Sequence, residues 1–488
     1  MTTSTSNASA AAPPTAAAPA PTPPTHAPAE EPGRTLASRF VVLALVLALV
    51  LSTAAFGTVH PWSLMFFAAG AALVLALWAA DAWRTRALRL SRNLLQLPLA
   101  GLVVVGLVQL LPLGAQVADV RAAAHALSLD PYATRFVLVQ LASLLVYFAA
   151  ALVFVDSPAR LRLVARTVTV FGFALALFAL LQHFVNPDQI YWLRTPAQAQ
   201  PFGPFINRHH FAACMELTAG PPLGLLFAGA VGRERRVLYV FAVVLMAVAL
   251  VLTGSRGGML SFAFEVLFLF GLGGAVRRRD EANAAADTGR RRVRSALMRV
   301  GAGALLVLAL LGAALLFGGE QSLSRLVGTV NSDDPTSGRA QFWRGAVGVI
   351  KEHPLLGAGL GAFGVAYTRH DPLNGALRLE QAHNDYLQIL ADAGLVGGAL
   401  ALVFVGVLVR AGLARLATRD RFRRGVSAGA LAGCAAVLVH SFFDFPLHIT
   451  SIALLFLLLA ALATADRRVE DETRQQHPRR RRTVSGEQ

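Results

Sequence analysis

The sequence predicts an all-α, polytopic membrane protein with about twelve transmembrane helices, and three observations support this prediction. Hydrophobic residues make up 55% of the 488-residue chain and charged residues only 15%, and the mean hydropathy of +0.55 is too high for a soluble domain. Apolar runs of bilayer length recur along the chain, and roughly 17–25 such residues suffice for a helix to cross the hydrocarbon core. Arginine-rich connections alternate with less basic ones, as expected when a chain crosses a membrane repeatedly.

The two ends of the chain are predicted to be disordered cytoplasmic tails. Residues 1–35 are rich in Ala, Pro and Thr and contain no apolar block, so they cannot bury a core. They also lack the pattern of a cleavable secretory signal. Residues 467–488 are rich in arginine, and we expect them to stay solvated near anionic lipid head groups.

Between the tails, apolar windows of roughly 17–23 residues define the predicted membrane spans. The twelve spans are 39–57, 62–80, 94–113, 135–155, 161–184, 209–230, 236–253, 258–275, 299–318, 394–413, 425–443 and 449–465. The first nine helices therefore occupy 36–318 and the last three occupy 394–466. The polar segment 319–393 is predicted to be one large, partly helical loop between helices nine and ten.

The distribution of arginine predicts which side of the membrane this loop occupies. The even-numbered connections carry the basic clusters, at 84–92, 156–162, 232–236, 277–294 and 410–424. Because basic loops stay in the cytoplasm, both termini are expected there and the large loop is expected outside, in the periplasm if the membrane is a bacterial inner membrane. The same clusters account for the net charge of +16, so we expect no nucleic-acid partner.

The large loop carries two arginines suited to binding an anion. Arg339 and Arg344 lie in a predicted helix that follows the turn-like segment 331–338 and ends before Pro354. Guanidinium groups bind phosphate oxygens in a bidentate fashion, and the two arginines are about one turn apart, so they can form a cationic edge. A surface ion pair between Arg339 and an aspartate of 331–338 is the alternative, and both interpretations stand at this point.

A third arginine lies in the short outer turn LTGSRGG (252–258). Arg256 is flanked by glycines that permit close approach of the backbone, and it precedes a helix whose free N–H groups favour anions. The alternative is an arginine that extends to lipid head groups. An outer arginine departs from the positive-inside pattern, so the sequence favours a functional anion contact for Arg256.

The block HNDYLQILADAGLVG (383–397) predicts a helix that enters the tenth span, with His383 and Asn384 at its start. A histidine with a pKa near neutrality can act as the general base that deprotonates a hydroxyl group. A capping or packing role is the alternative for His383. Other histidines share the outer side and weaken a claim for any one of them: His209, His210, His353 and His370.

No metal, disulfide or cofactor is expected. The outer side carries histidines and one carboxylate that could serve as metal ligands: His209, His210, His440, His448 and Asp444. None of them shows the i, i+4 helical pairing of a zinc motif, and HSFFDFPLH (440–448) is more simply an outer hairpin between two spans. Cys214 and Cys434 show no pairing pattern and are expected to pack in the interior.

Taken together, five sequence blocks resemble the O-antigen ligase and O-antigen polymerase superfamily. The blocks are GPFINRHHFA (203–212), LTGSRGG (252–258), GRAQFW…HPLLGAGLGAF (338–363), AHNDYLQILADAGLVG (382–397) and HSFFDFPLH (440–448). The resemblance covers roughly 200–465. The order of the third and fourth blocks is specific, whereas each block alone is weak.

The resemblance implies a glycosyltransferase of the inner membrane that moves a glycan from undecaprenyl diphosphate to a hydroxyl acceptor, without a nucleotide sugar, metal or other cofactor. It implies that Arg256 and Arg339 hold the diphosphate and that His383 is the base. Further residues are expected to line the same substrate-binding cavity: Arg208, His209, Arg344, Asn384 and Asp444.

Several acceptors remain open at this point. A ligase transfers the glycan to a lipid A core or similar acceptor in lipopolysaccharide biosynthesis, and this is the favoured interpretation. A polymerase of O-antigen or exopolysaccharide extends a second lipid-linked repeat, and a protein O-oligosaccharyltransferase modifies a protein hydroxyl. A transporter is disfavoured, because its ionisable groups should lie near the bilayer midplane, whereas here they collect at one surface.

Overall fold

The computed structural model describes Thr2 and residues 35–113, 126–197, 199–282, 339–372 and 379–465, with side chains omitted for 274–282. Apart from two isolated β-bridges in the connection 186–207, the regular structure of these ranges is helical. The chain is therefore an all-α polytopic membrane protein, as predicted. The described helices belong to one unit that begins at Thr35.

The α-helices are numbered here through the described residues. They are α1 (Leu36–Ala54), α2 (Pro61–Thr85), α3 (Gln96–Gln109), α4 (Pro131–Phe154), α5 (Pro158–Val185), α6 (Arg208–Phe227), α7 (Arg233–Leu252), α8 (Arg256–Ala282), α9 (Arg339–Glu352), α10 (Phe363–Tyr367), α11 (Asp385–Arg415), α12 (Arg421–His440) and α13 (Thr450–Thr464). Three short 3₁₀ segments lie at Phe56–Thr58, Thr368–His370 and Pro446–His448.

Every predicted span except the ninth coincides with one of these helices. Within the described ranges, eight helices are long and apolar enough to cross a membrane, while α3 and α13 are apolar but shorter. Helix α6 is not among these ten, and it begins with Arg-His-His and carries Glu216. The ninth span (299–318), the start of the large loop (319–338) and nearly all of both tails lie outside the described residues, so a total of twelve spans stays a prediction.

The centre of the helix bundle is formed by α6, α12 and α13. A Cβ atom added to Gly220 would lie 2.4 Å from the carbonyl oxygen of Gly429, and one added to Gly224 would lie 2.2 Å from that of Gly425. Small residues thus let the backbones of α6 and α12 approach closely, as in other membrane helix pairs. Every residue of the strongly apolar α13 is buried by protein.

The described part of the large loop is fixed to the bundle by α3. The Gln109 side chain donates to the carbonyl groups of Leu356 (2.6 Å) and Asp392 (2.8 Å) and accepts from the amide of Leu360 (2.8 Å). Gln109 is buried, so these bonds satisfy polar groups that water cannot reach. The loop therefore has a defined position over the helix ends.

The two predicted loop helices are observed. Helix α9 ends before Pro354, as its sequence indicated, and α11 runs from Asp385 into the tenth span. A kink at Gly394, where φ is +63°, separates the loop part of α11 from its apolar part. A Cβ atom at Gly394 would also lie 2.3 Å from the carbonyl oxygen of Leu355, so both the backbone conformation and the packing require glycine.

Candidate active site

The start of α11 is held against the turn that connects α12 to α13. Asn384 caps α11 by accepting from the amides of Tyr386 and Leu387, and its side-chain amide donates to the carbonyl of Phe442 (3.1 Å). The preceding residue, His383, has a φ of +49°, in the left-handed region that non-glycine residues rarely adopt. Backbone strain of this kind is concentrated at functional sites, so the conformation favours a functional role for His383.

Asp385 joins these two segments. Its buried carboxylate accepts from the Ser441 hydroxyl (2.7 Å), the Leu447 amide (3.1 Å) and the His448 Nδ1 (2.6 Å). Its backbone amide donates to the carbonyl groups of Ser441 (2.9 Å) and Asp444 (3.2 Å). Burial opposes the charged form of His448, but the hydrogen bond to Asp385 prevails and raises the pKa of that imidazole above its ordinary value.

Replacing Asp385 with asparagine is expected to lower the free energy of unfolding by about 1.5–3 kcal/mol, because it removes hydrogen bonds to a charged acceptor. Because the pKa of His448 is raised in the folded state, its ion pair with Asp385 contributes fully to the free energy of unfolding below about pH 6.5. This contribution is lost as the pH rises through the folded-state pKa of His448. Thermal unfolding of purified wild type and Asp385→Asn should therefore differ most at acidic pH.

Asp188→Asn is the matched control, because Asp188 is exposed in the α5–α6 connection. If Asp385→Asn and Asp188→Asn unfold at the same temperature at every pH, Asp385 does not hold the two segments together.

His383 is paired with a buried carboxylate of this turn. The Nδ1 atom of His383 lies 3.1 Å from Asp444 Oδ1, and the Nη2 atom of Arg339 lies 4.0 Å from Asp444 Oδ2. Burial by itself would raise the pKa of the Asp444 carboxyl, but the hydrogen bond from His383 and the charges of His209 and His210 lower it well below its ordinary value. Asp444 is thus an anion that orients His383.

Two aromatic rings hold the His383 imidazole in place. The Phe445 ring contacts it edge to face at a centroid distance of 5.0 Å, and the Phe342 ring of α9 lies 6.0 Å away. The His383 side chain is nevertheless 28% exposed. With Nδ1 directed at Asp444, Nε2 is the nitrogen left to exchange a proton with a substrate.

The glycines after Arg256 bring the start of α8 to the same place. A Cβ atom at Gly257 would lie 3.0 Å from Phe443 Cβ and 3.4 Å from the His440 ring. One at Gly258 would lie 2.8 Å from Ala212 in α6. This close packing puts Arg256, the first residue of α8, beside the 440–444 turn that carries Asp444.

His209 completes this side of the site. Its Nδ1 lies 2.8 Å from the Ser255 hydroxyl, which also accepts from the amide of Gly258 (3.2 Å). The ligand atoms of His209, His440 and Asp444 lie within 4.8 Å of one another. The site therefore has contributions from the starts of α6, α8, α9 and α11 and from the turn after α12.

Arg208 and Arg344 lie at the edge of this group. The Arg208 guanidinium donates to the side chain of Gln200, and its amide donates to the Gln200 carbonyl (2.9 Å). Arg344 is exposed and donates from Nε to Ala340 of its own helix at 3.4 Å. Five residues correspond to a rotation of roughly 140° around a helix, so Arg339 and Arg344 leave α9 in different directions, and a shared cationic edge stays a prediction.

The sequence interpretation missed a buried pair beneath the site. The Nδ1 atom of His440 lies 2.8 Å from Oε1 of Glu216, and the two side chains are 1% and 0% exposed. Glu265 of α8 is also fully buried. Glu216 and Glu265 therefore do not lie at the surface where the other ionisable groups collect. Each is an acidic residue inside an apolar span, and this was the sequence signal that could have identified them.

Of the described residues, His209, His440 and Asp444 form the one group with metal-ligand spacing. The Asp444 carboxylate, however, already bonds His383 through one oxygen and has the Arg339 guanidinium near the other. A divalent cation at this carboxylate would be repelled by Arg339, so the charge distribution suits an anionic substrate better than a metal. Cys214 and Cys434 are both buried and free.

These features define a polytopic helical membrane protein with a histidine, carboxylate and arginine site at one end of its bundle. A family model described as O-antigen ligase matches residues 241–402, from α7 into α11. This match supports a relationship of the chain to the O-antigen ligase and polymerase superfamily. The matched residues include Arg256, Arg339 and His383 and end before Asp444. A comparison with curated proteins found no match.

Proposed function

We propose that this protein transfers a glycan from undecaprenyl diphosphate to a hydroxyl acceptor at the outer face of a bacterial inner membrane. The observation that carries the proposal is the pairing of His383 with the buried Asp444 anion, with Arg339 on the other oxygen of the same carboxylate. A base and a cation thus lie side by side, as the deprotonation of a hydroxyl next to a diphosphate requires.

The proposed reaction is a single displacement. His383 Nε2 accepts the proton of the acceptor hydroxyl while Asp444 stabilises the imidazolium that forms. The hydroxyl oxygen bonds to the anomeric carbon as the bond from that carbon to the diphosphate oxygen breaks. The diphosphate leaves with the electron pair of that bond. Because the hydroxyl attacks from the face opposite the diphosphate, the configuration at the anomeric carbon is inverted.

Two arginines are proposed to stabilise the leaving group. Arg339 on α9 lies beside Asp444, and the start of α8 at Arg256 packs against the 440–444 turn that carries Asp444. A diphosphate bound between them would meet fixed positive charge where negative charge develops. His209 and Asn384 are proposed to line the substrate cavity from its inner side, and Arg208 and Arg344 to contact the donor or acceptor at its edge.

The proposed reaction needs no metal, because side chains supply both the base and the cations. EDTA is therefore expected to leave the transfer rate of the purified protein unchanged. Activity that is lost in EDTA and restored by a divalent ion would instead mean that His209, His440 and Asp444 hold a required metal.

The proposed orientation places both termini in the cytoplasm and the candidate site outside. It rests on the basic clusters at the opposite helix ends, such as 84–92 and 410–424. Cysteine accessibility in intact spheroplasts checks it, with single cysteines introduced at Arg369 in the loop and at Arg419 between α11 and α12. We expect an impermeant maleimide to label only the first, and the reverse pattern would overturn the orientation.

The acceptor class decides between a ligase and a polymerase, and we propose a ligase that uses a lipid A core or similar acceptor. The test uses purified protein and a labelled polyprenyl-diphosphate glycan with three acceptors offered separately. Label in the lipid A core supports the ligase. Label in a second lipid-linked repeat or in a protein identifies a polymerase or a protein O-oligosaccharyltransferase, and no transfer to any acceptor contradicts the glycosyltransferase proposal.

A further inference from the structure

The end of the bundle opposite the candidate site contains a cavity of about 420 Å³. It lies between the segment that precedes α3 and the C-terminal ends of α4, α11 and α13. Helix α11 connects the two regions, because Asp385 at the site and Arg410 at the cavity lie roughly 38 Å apart along the path of this kinked helix. The cavity is therefore separate from the proposed reaction.

The walls of the cavity combine apolar surface with positive charge. Its lining includes alanine, leucine and valine side chains together with Arg92, Arg410 and Arg415. Among the described lining residues none is acidic. Asn93 and Thr464, hydrogen-bonded to each other at 2.8 Å, add neutral polar groups to the same wall.

We propose that this cavity binds an anionic membrane phospholipid. The phosphate would contact the three arginines, and the first part of an acyl chain would occupy the apolar space between α4, α11 and α13. The positive charge of the lining favours an anion, and the apolar walls favour a hydrophobic portion attached to it. With the orientation proposed above, this lipid belongs to the cytoplasmic leaflet, whereas the binding itself does not depend on that orientation.

Basic residues at helix ends also serve membrane orientation and stabilise helix C-termini. A comparison of two triple variants separates those roles from lipid binding. Arg92, Arg410 and Arg415 are replaced together by glutamine in the cavity variant. Arg233, Arg235 and Arg236, which are exposed at the start of α7, are replaced in the control variant.

A third variant tests the apolar part of the cavity without changing any charge. Ala411→Phe places a large ring in the wall, and it should exclude the acyl chain while the arginines remain. Size-exclusion elution and thermal unfolding of each variant establish that it folds, so a loss of binding can be assigned to the cavity.

The experiment is native mass spectrometry of the purified full-length protein titrated with phosphatidylglycerol or phosphatidylcholine. We expect the wild type and the control variant to retain phosphatidylglycerol at least about tenfold better than phosphatidylcholine. This ratio corresponds to a difference in binding free energy of about 1.4 kcal/mol. The cavity variant should lose this preference, and Ala411→Phe should lose retention of the lipid. Equal losses in the control variant, or full retention by Ala411→Phe, would overturn the proposal. So would competition by inorganic phosphate, because it would identify a soluble anion as the ligand.

Discussion

Replacing His383 with alanine is expected to reduce glycan transfer by about 10²–10⁴-fold, the usual contribution of a positioned general base. The substitution removes the only group that Asp444 orients toward the acceptor in the proposed reaction. Fold and expression should be retained, because the His383 side chain is partly exposed and the cap of α11 is supplied by Asn384 instead. The measurement is the initial rate of transfer by the purified variant at saturating donor.

His370→Ala is the matched control for His383→Ala. His370 lies in the same loop, and its Nε2 is 3.4 Å from Glu352, away from Asp444. We expect its rate to stay close to that of the wild type. Equal rates for His383→Ala and the wild type would remove His383 from the mechanism, and a large loss in His370→Ala alone would transfer the role to that residue.

Replacing Arg339 with alanine is expected to lower the transfer rate by about 10²–10³-fold, as does removal of one stabiliser of developing charge in other enzymes. The same loss is expected for Arg256→Ala. Part of the loss for Arg339 should reflect the removal of its charge from beside Asp444, so Arg339→Lys is expected to recover only part of the rate. A lysine keeps the charge but not the planar group that can bind two phosphate oxygens.

Arg344→Ala provides the comparison on the same helix. Arg344 is exposed and bonds back to Ala340, so its substitution is expected to have a smaller effect, visible mainly in the KM of the substrate. A larger loss for Arg344→Ala than for Arg339→Ala would reverse the proposed assignment of the diphosphate contact. Normal rates for both Arg339→Ala and Arg256→Ala would contradict the arginine mechanism altogether.

Local sequence signals were sufficient for the helical fold and for the position of the loop helices. Apolar runs mark the spans because every backbone polar group in lipid must be satisfied within a helix. The C-terminal end of α9 was predictable from Pro354, and the start of α11 was predictable from the Asn384 cap. Helix α6 was predicted as the span 209–230, although it is less apolar than the other spans, because its central position in the bundle permits an ionisable residue, Glu216, that lipid would not.

The pairings within the site were not predictable from sequence. His383 and Asp444 are separated by 61 positions, and Glu216 and His440 by 224, so only the tertiary packing of helix ends brings them together. The glycine seam between α6 and α12 determines how closely those ends approach, and single-sequence periodicity does not reveal a helix partner. The distinction between Arg339 and Arg344 depended on which face of α9 packs against the bundle.

The anomeric configuration of the product tests the central claim most directly. A polyprenyl-diphosphate glycan of known configuration is incubated with the purified protein and an acceptor, and the new linkage is assigned by NMR. A single displacement by a hydroxyl that His383 deprotonates predicts an inverted linkage and one polyprenyl diphosphate released for each bond formed. A retained linkage would contradict the account, because retention requires a second displacement through a nucleophile that the proposed site does not use.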